Sequence, residues 1–241
     1  MLVKPLKRLA ALLPVSWQHE LRRLYFRQQI ARGQFTTDEK EFALLNSFLR
    51  PGDWALDIGA NVGHYTMRMA ELVGSSGRVI ALEPVPDTFA LLAANVRRLK
   101  DENVSLLNIA ASDGVAAVNI EIPRSSDGAT NFYLAHLSPN KSGLVVLSLA
   151  IDQMCLPTIR LVKIDVEGHE LPVLKGMHAL LQRDRPVIIL ETGSQTALDL
   201  LSALGYAIER LPDSSNVLCR HPGRSSGARD FQVTMMEQSK S

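Results

Sequence analysis

Short apolar runs alternate along most of this chain with longer segments of helical periodicity. Trp54 to Ile58, Arg78 to Leu82, Val104 to Ala110, Leu161 to Val166 and Val187 to Leu190 read as buried strands. Between them, four segments carry the helical pattern: His64 to Val73, Pro86 to Lys100, Glu170 to Arg183 and Thr196 to Leu204. The second places Phe89, Leu92, Val96 and Leu99 on one face, and the last closes at Gly205. Thr36 or Thr37 is placed to cap a helix through Leu49, with Asp38 and Glu39 in its first turn. Val115 to Ile122 and Leu144 to Ile151 are further β-like segments, and Tyr206 to Arg210 with Asn216 to Cys219 suits a terminal hairpin. The polar, Gly-, Ser- and Asn-rich stretch 123–142 reads as a loop over a site. Such alternation predicts an α/β fold, a doubly wound, mostly parallel sheet with helices on both faces. The chain divides into a basic helical extension over 1–35, a main domain over 36–219 and a loosely ordered tail over 220–241.

Ligands of such sheets sit beyond the carboxyl ends of the strands. Five acids fall there: Asp57, Glu83, Asp113, Asp165 and Glu191. Some serve only as caps of the helices that follow. After Asp57 the chain runs through Gly59, Asn61 and Gly63 into a helix. Glycines let the backbone bend sharply and approach a ligand closely. Glu83 follows Gly63 by twenty residues, at the end of the second strand. An acid so placed accepts hydrogen bonds from ribose hydroxyls. The turn reads Asp-x-Gly-x-Asn-x-Gly, without the second glycine that brings a pyrophosphate against the backbone. Asn61 would crowd a pyrophosphate and Asp57 would repel it, whereas Asp57 attracts a cationic amino group. S-adenosylmethionine offers that group, a sulfonium and a ribose, and no phosphate.

Composition narrows the classes. A hydrophobic content of 46% over 241 residues is enough for a sizeable core. Two cysteines, Cys155 and Cys219, form no Cys-x-x-Cys pair, which favours a reducing, cytoplasmic compartment. The longest apolar run, Leu144 to Ile151, is far shorter than the roughly 18–20 residues that span a bilayer. Seven basic residues and one acid give residues 1–35 a charge of +6, which leaves −5 for the rest of a chain of net charge +1. The basic start can touch an anionic membrane surface or an anionic substrate, or it can cap the domain with its Lys and Arg in water. The acidic remainder argues against a nucleic-acid partner.

Several blocks together resemble the FkbM-type S-adenosylmethionine-dependent methyltransferases. They are Asp57-Ile-Gly-Ala-Asn-Val-Gly-His-Tyr-Thr66, Leu82-Glu83-Pro84, Ala111-Ser112-Asp113, Ile151-Asp152 and Leu161-Val-Lys-Ile-Asp-Val-Glu-Gly-His-Glu-Leu171. Leu174-Lys175-Gly176 and Val187 to Glu191 fit the same pattern. The resemblance covers about residues 36–219 and implies a class I methyltransferase fold with one antiparallel strand near the edge of the sheet. It implies methyl transfer to hydroxyl oxygens of sugars, lipids or secondary metabolites. By position, Asp57, Gly59, Asn61 and Gly63 would hold the methionine part of the cofactor, with His64, Tyr65 and Thr66 alongside. Glu83, with Pro84 beside it, would bind the ribose, and Ser112 and Asp113 would lie near the adenine. Asp165 and Glu167 would line the methyl-transfer side.

An alcohol is a poor nucleophile, so a base close to the acceptor is expected. His169 is the leading candidate, because imidazole titrates near neutral pH. It can equally hydrogen-bond at the start of the next helix, and Asp165 and Glu167 are as well placed. His64 and His136 are weaker choices. Asp165, Glu167, His169 and Glu191 also make a donor set that suits a divalent metal such as magnesium. N-methylation of a small molecule or protein would use the same cofactor half, and a non-catalytic binding protein is a third reading. The acceptor and the oligomeric state are not written in the sequence.

Overall fold

The computed structural model describes residues 15–122, 136–138 and 143–223. Two helices, α1 (Val15–Ala31) and α2 (Lys40–Phe48), precede the sheet. Then follow β1 (Trp54–Ile58), α3 (His64–Val73), β2 (Arg78–Leu82), α4 (Pro86–Val96), β3 (Val104–Leu107), β4 (Ala110–Ala111), β5 (Ala116–Glu121), β6 (His136–Ser138) and β7 (Leu144–Leu149). The remainder is β8 (Leu161–Ile164), α5 (Glu170–Gly176), α6 (His178–Asp184), β9 (Val187–Glu191), α7 (Gln195–Ala203), β10 (Ala207–Arg210) and β11 (Asn216–Arg220). Seven strands form the main sheet in the order β10-β11-β9-β8-β1-β2-β3. The pairs from β9 to β3 are parallel, and β11 runs antiparallel to both its neighbours.

Alternation along the strands divides the core. Leu56, Ile58, Val162, Ile164, Ile188 and Leu190 point to the face covered by α5, α6 and α7. Ala55, Leu161, Val187 and Ile189 point to the other face, under α2 and α3, where Leu45, Phe48, Met69 and Val73 meet them. Asp57 and Lys163, opposite each other in the β1–β8 register, belong to this second face by the same alternation. Two ionisable side chains are therefore buried under α3 rather than placed at a rim.

Where the expected elements shift, local hydrogen bonds account for it. α2 starts at Lys40 instead of near Thr36, because Glu39 is still extended (φ −65°, ψ 130°) and is engaged by Thr37 and Tyr65. α4 stops at Val96, where the Arg98 and Leu99 N–H groups turn back three residues, to Asn95 and Val96. The third strand is split at Asn108, whose amide donates to the Glu83 and Pro84 carbonyls, so that Ala110 and Ala111 join a different sheet. The expected helix over 170–183 breaks at Met177. Gly176 lies so close to β4 that a β-carbon there would meet the Ser112 carbonyl oxygen at 1.8 Å.

The second sheet, β4-β7-β5-β6, was not expected as a unit. Its β6 falls inside the stretch read as a loop and pairs antiparallel with β5. The rest of that stretch, residues 1–14 and the tail beyond Gly223 lie outside the described residues. Cys155 is exposed and Cys219 buried, and neither is bonded to another cysteine.

Candidate active site

A cavity of about 640 Å³, its mouth included, opens beyond the carboxyl ends of β1, β2 and β8. Gly59 and Asn61 line it from the turn after β1, and Glu83, Pro84 and Val85 from the end of β2. Ala110 and Ala111 of β4, with Ile120 and His136 of the second sheet, form a further wall. Asp165, Val166, Glu167 and His169 close the side after β8.

The turn is left-handed at Gly59 (φ +80°), Asn61 (φ +50°) and Gly63 (φ +97°). A β-carbon on Gly59 would stand 1.7 Å from the Asp165 carbonyl oxygen, and one on Gly63 2.6 Å from Leu92 Cδ1. Both glycines therefore let neighbouring elements approach, beyond any need of a ligand. The Gly59 and Ala60 N–H groups donate to the Leu82 carbonyl, both at 2.9 Å. The Asn61 N–H donates to Glu83 Oε2 and the Val85 N–H to Glu83 Oε1, each at 2.9 Å. Glu83 is thus fixed between the turn and the end of β2, and each oxygen keeps acceptor capacity for a ligand. Burial pushes its carboxyl up to about 7, against the pull of the two N–H donors.

Asp57 does not line the cavity. It is buried under the turn, where Thr66 Oγ1 donates to Oδ2. Burial raises its carboxyl to about 6, with the Thr66 hydrogen bond and the Lys163 charge acting the other way. His64 stacks on Phe35 at 4.2 Å between ring centroids, and the Tyr65 hydroxyl donates to Glu39 Oε2 at 2.6 Å. Burial holds the His64 imidazole below its usual value and the Tyr65 phenol above. Gly63, His64, Tyr65 and Thr66 accordingly support the turn from behind.

Across the cavity the backbone after β8 is again left-handed, at Glu167 (φ +47°) and Gly168 (φ +91°). A non-glycine residue in this conformation is uncommon, although Cys155, Arg185 and Asp213 adopt it away from the cavity. Burial pushes Asp165 up to about 7; Lys163 pulls it down, while Glu191 and Glu167 push further up. Burial, then Glu191 and Glu170, raise Glu167. His169 Nε2 lies 2.9 Å from Ser112 Oγ, whose hydroxyl is also 3.3 Å from Asp113 Oδ1. Burial lowers the His169 imidazole against the Asp113 and Glu170 charges, which favours the neutral ring. Ser112 and Asp113 sit behind Ala111 and reach the site through His169. Glu191 stands further off and accepts from Ser215 Oγ at 2.7 Å. Among the described residues no three His, Cys, Asp or Glu side chains converge to hold a metal ion.

The sequence reading missed Lys163. It is 2% exposed, its ammonium donates to Asn216 Oδ1 at 3.0 Å, and it lies 3.9 Å from Asp165 Oδ2 and 5.2 Å from the Tyr65 ring centre. The Asn216 amide donates in turn to the fully buried Glu41. A lysine inside the otherwise apolar run Leu161 to Ile164 was the available signal, since a buried cation needs partners.

Residues 57–211 match the family model described as the methyltransferase FkbM domain. A hexuronic acid methyltransferase, AglP of Haloferax volcanii, is 30% identical over 138 residues, 55% of this chain and 53% of that one. The 31-O-demethyl-FK506 methyltransferase FkbM of Streptomyces tacrolimicus is 33% identical over 159 residues, 54% of this chain and 61% of its own. The matches thus span little more than half the length of these relatives. A crystal structure of methyltransferase FkbM from Methylobacillus flagellatus superposes with a TM-score of 0.53 at 16% identity, covering 85% of this chain and 59% of that one. With the glycine turn, the Glu83 brace and the acidic wall after β8 in place, the chain belongs to the FkbM methyltransferase family.

Proposed function

We propose that the chain is an S-adenosylmethionine-dependent O-methyltransferase acting on a hydroxyl of a sugar, lipid or secondary metabolite. The observation that carries the reading is the cavity itself. It joins Glu83, braced to receive ribose hydroxyls, to the acidic wall of Asp165 and Glu167 that favours a cation. The two O- and sugar-directed relatives support the acceptor class.

The residues fit the cofactor as follows. Glu83 would hold the ribose, Gly59 and Asn61 would face the methionine part, and the apolar wall of Val85 and Ala111 would take the adenine. Asp57 would act through Thr66 and the turn it fixes. When bound, the cofactor supplies an electrophilic methyl group on a sulfonium. The wall after β8 orients an acceptor hydroxyl, and near-attack geometry alone supplies several kcal/mol of a barrier, of about 7–11 at best. His169, neutral and with one ring nitrogen engaged by Ser112, takes the hydroxyl proton on the other. Asp165, lifted to about 7 by burial and drawn down by Lys163, gains negative charge on the same side as pH rises through neutrality.

Calorimetric titration with S-adenosylmethionine and its demethylated product tests the cofactor half. Binding of both, weakened in Glu83→Ala, supports it; no binding by the folded chain overturns it. Screening hydroxylated acceptors then tests the base. His169→Ala should lower turnover by about 10²-fold or more while cofactor affinity holds, and full turnover would remove His169 from that role.

A further inference from the structure

Helix α1 carries a surface that the cofactor site does not use. Phe26 anchors the helix, packing with Val62 and Leu91 and meeting Phe35 edge-on at 5.6 Å. At about 100° per residue, Trp17, Leu21, Leu24 and Tyr25 share one arc on the side away from Phe26. All four are exposed, at 65%, 42%, 56% and 56%. Single exposed apolar residues are ordinary, but a contiguous group marks a contact surface. Arg27, at one margin of the arc, and Arg32, just past the end of the helix, are exposed as well. The helix itself carries Arg22, Arg23 and Arg27 against Glu20, so a modest positive charge and exposed apolar surface coincide on one element, within a segment 1–35 of charge +6.

We propose that α1 docks on an anionic lipid bilayer, lying in the plane of the headgroups. Trp17, Leu21, Leu24 and Tyr25 enter the acyl boundary, and Arg27 and Arg32 meet the lipid phosphates. Charge decides for lipid over a second copy of the chain: pairing two copies through this face would bring two basic segments together, whereas an anionic surface neutralises them. Trp and Tyr suit the boundary because one end of each ring system is apolar and the other polar. Among the described residues no helix is long and apolar enough to cross a membrane, which agrees with a helix lying flat. α1 also reaches the site: Phe26 packs on Val62 of the glycine turn, so docking would bring that turn within one side-chain layer of the lipid-bound helix.

The test uses the full chain with vesicles of phosphatidylcholine alone and of phosphatidylcholine mixed with phosphatidylglycerol. Co-sedimentation with the anionic vesicles only, weakened by added salt, is expected. In a Trp54→Phe background Trp17 is the sole indole, and its emission should shift to shorter wavelength on the anionic vesicles. Leu21→Glu with Leu24→Glu should cut vesicle affinity at least about tenfold, and Arg27→Glu with Arg32→Glu should remove the preference for anionic lipid. Melting temperatures of the variants, measured in parallel, separate these effects from unfolding. The proposal is overturned if the wild-type chain sediments with neither vesicle, or if the paired leucine variant binds as the parent does. It is overturned equally if Trp17 emission is already shifted without lipid and follows dimer formation as protein concentration rises.

Discussion

Each carboxylate of the site has an environment that sets its charge, and this makes the pH behaviour specific. Asp57, Glu83 and Asp165 are pushed up to about 6, 7 and 7, above the ordinary carboxylate range, so the folded chain holds protons that the unfolded chain has released. Their contribution to stability is therefore fully present below pH about 4 and declines as pH rises from there through 6 to 7. A cationic cofactor favours the ionised forms. Its binding should release protons near pH 6.5 and tighten by up to about tenfold per pH unit over this window. Calorimetry in buffers of differing ionisation enthalpy would read the release; binding without proton exchange would contradict it. Lys163→Met removes the cation that holds Asp57 and Asp165 down, so the proton release on cofactor binding should move to higher pH in the same calorimetry. Gly59→Ala combines a strained φ with a β-carbon 1.7 Å from a carbonyl oxygen, and should destabilise by about 3 kcal/mol or more in thermal unfolding.

At the level of elements, the repeating strands and helices were legible because burial on both faces writes an unbroken apolar run. β1, α3 and β2 lie where the pattern put them, residue for residue. Of the second sheet, β5 and β7 were legible as β-like segments, but their assembly with β4 and β6 was not: β4 is two residues long and β6 lies in the stretch read as a loop. The break at Met177 depends on the backbone of Ser112, over sixty residues earlier, which no local pattern records. The candidate site was legible at two of the five strand-end acids and illegible behind them. Glu83 and Asp165 lie on the cavity, whereas Asp57, Thr66 and Tyr65 turn inward to partners that only the fold supplies. The stack of Phe35 on His64 ties the segment between α1 and α2 to the start of α3. Phe35→Ala should weaken cofactor binding several-fold by loosening the turn, with a loss of about 3 kcal/mol in stability as its upper bound; a change in stability alone would limit Phe35 to packing.

Taken as a whole, the molecule closes its sheet with a hairpin whose Asn216 serves both Lys163 and Glu41. Asn216→Leu leaves a buried ammonium and a buried carboxylate each short of a partner. It should destabilise by about 3 kcal/mol, and an unchanged melting temperature would show that water replaces the amide. The separations along the chain, 53 residues back to Lys163 and 175 back to Glu41, have a kinetic meaning. Contacts so distant in sequence form late, after the loop-closure entropy between them has been met. A nascent chain therefore carries Glu41 without its Asn216 partner, and Lys163 with only Asp165 and the Tyr65 ring near it, until the hairpin emerges. The stretch that identifies the family, residues 57–211, contains Lys163 but neither Glu41 nor Asn216. That stretch expressed alone should remain unfolded, because the unit that inheritance marks is smaller than the unit that folds.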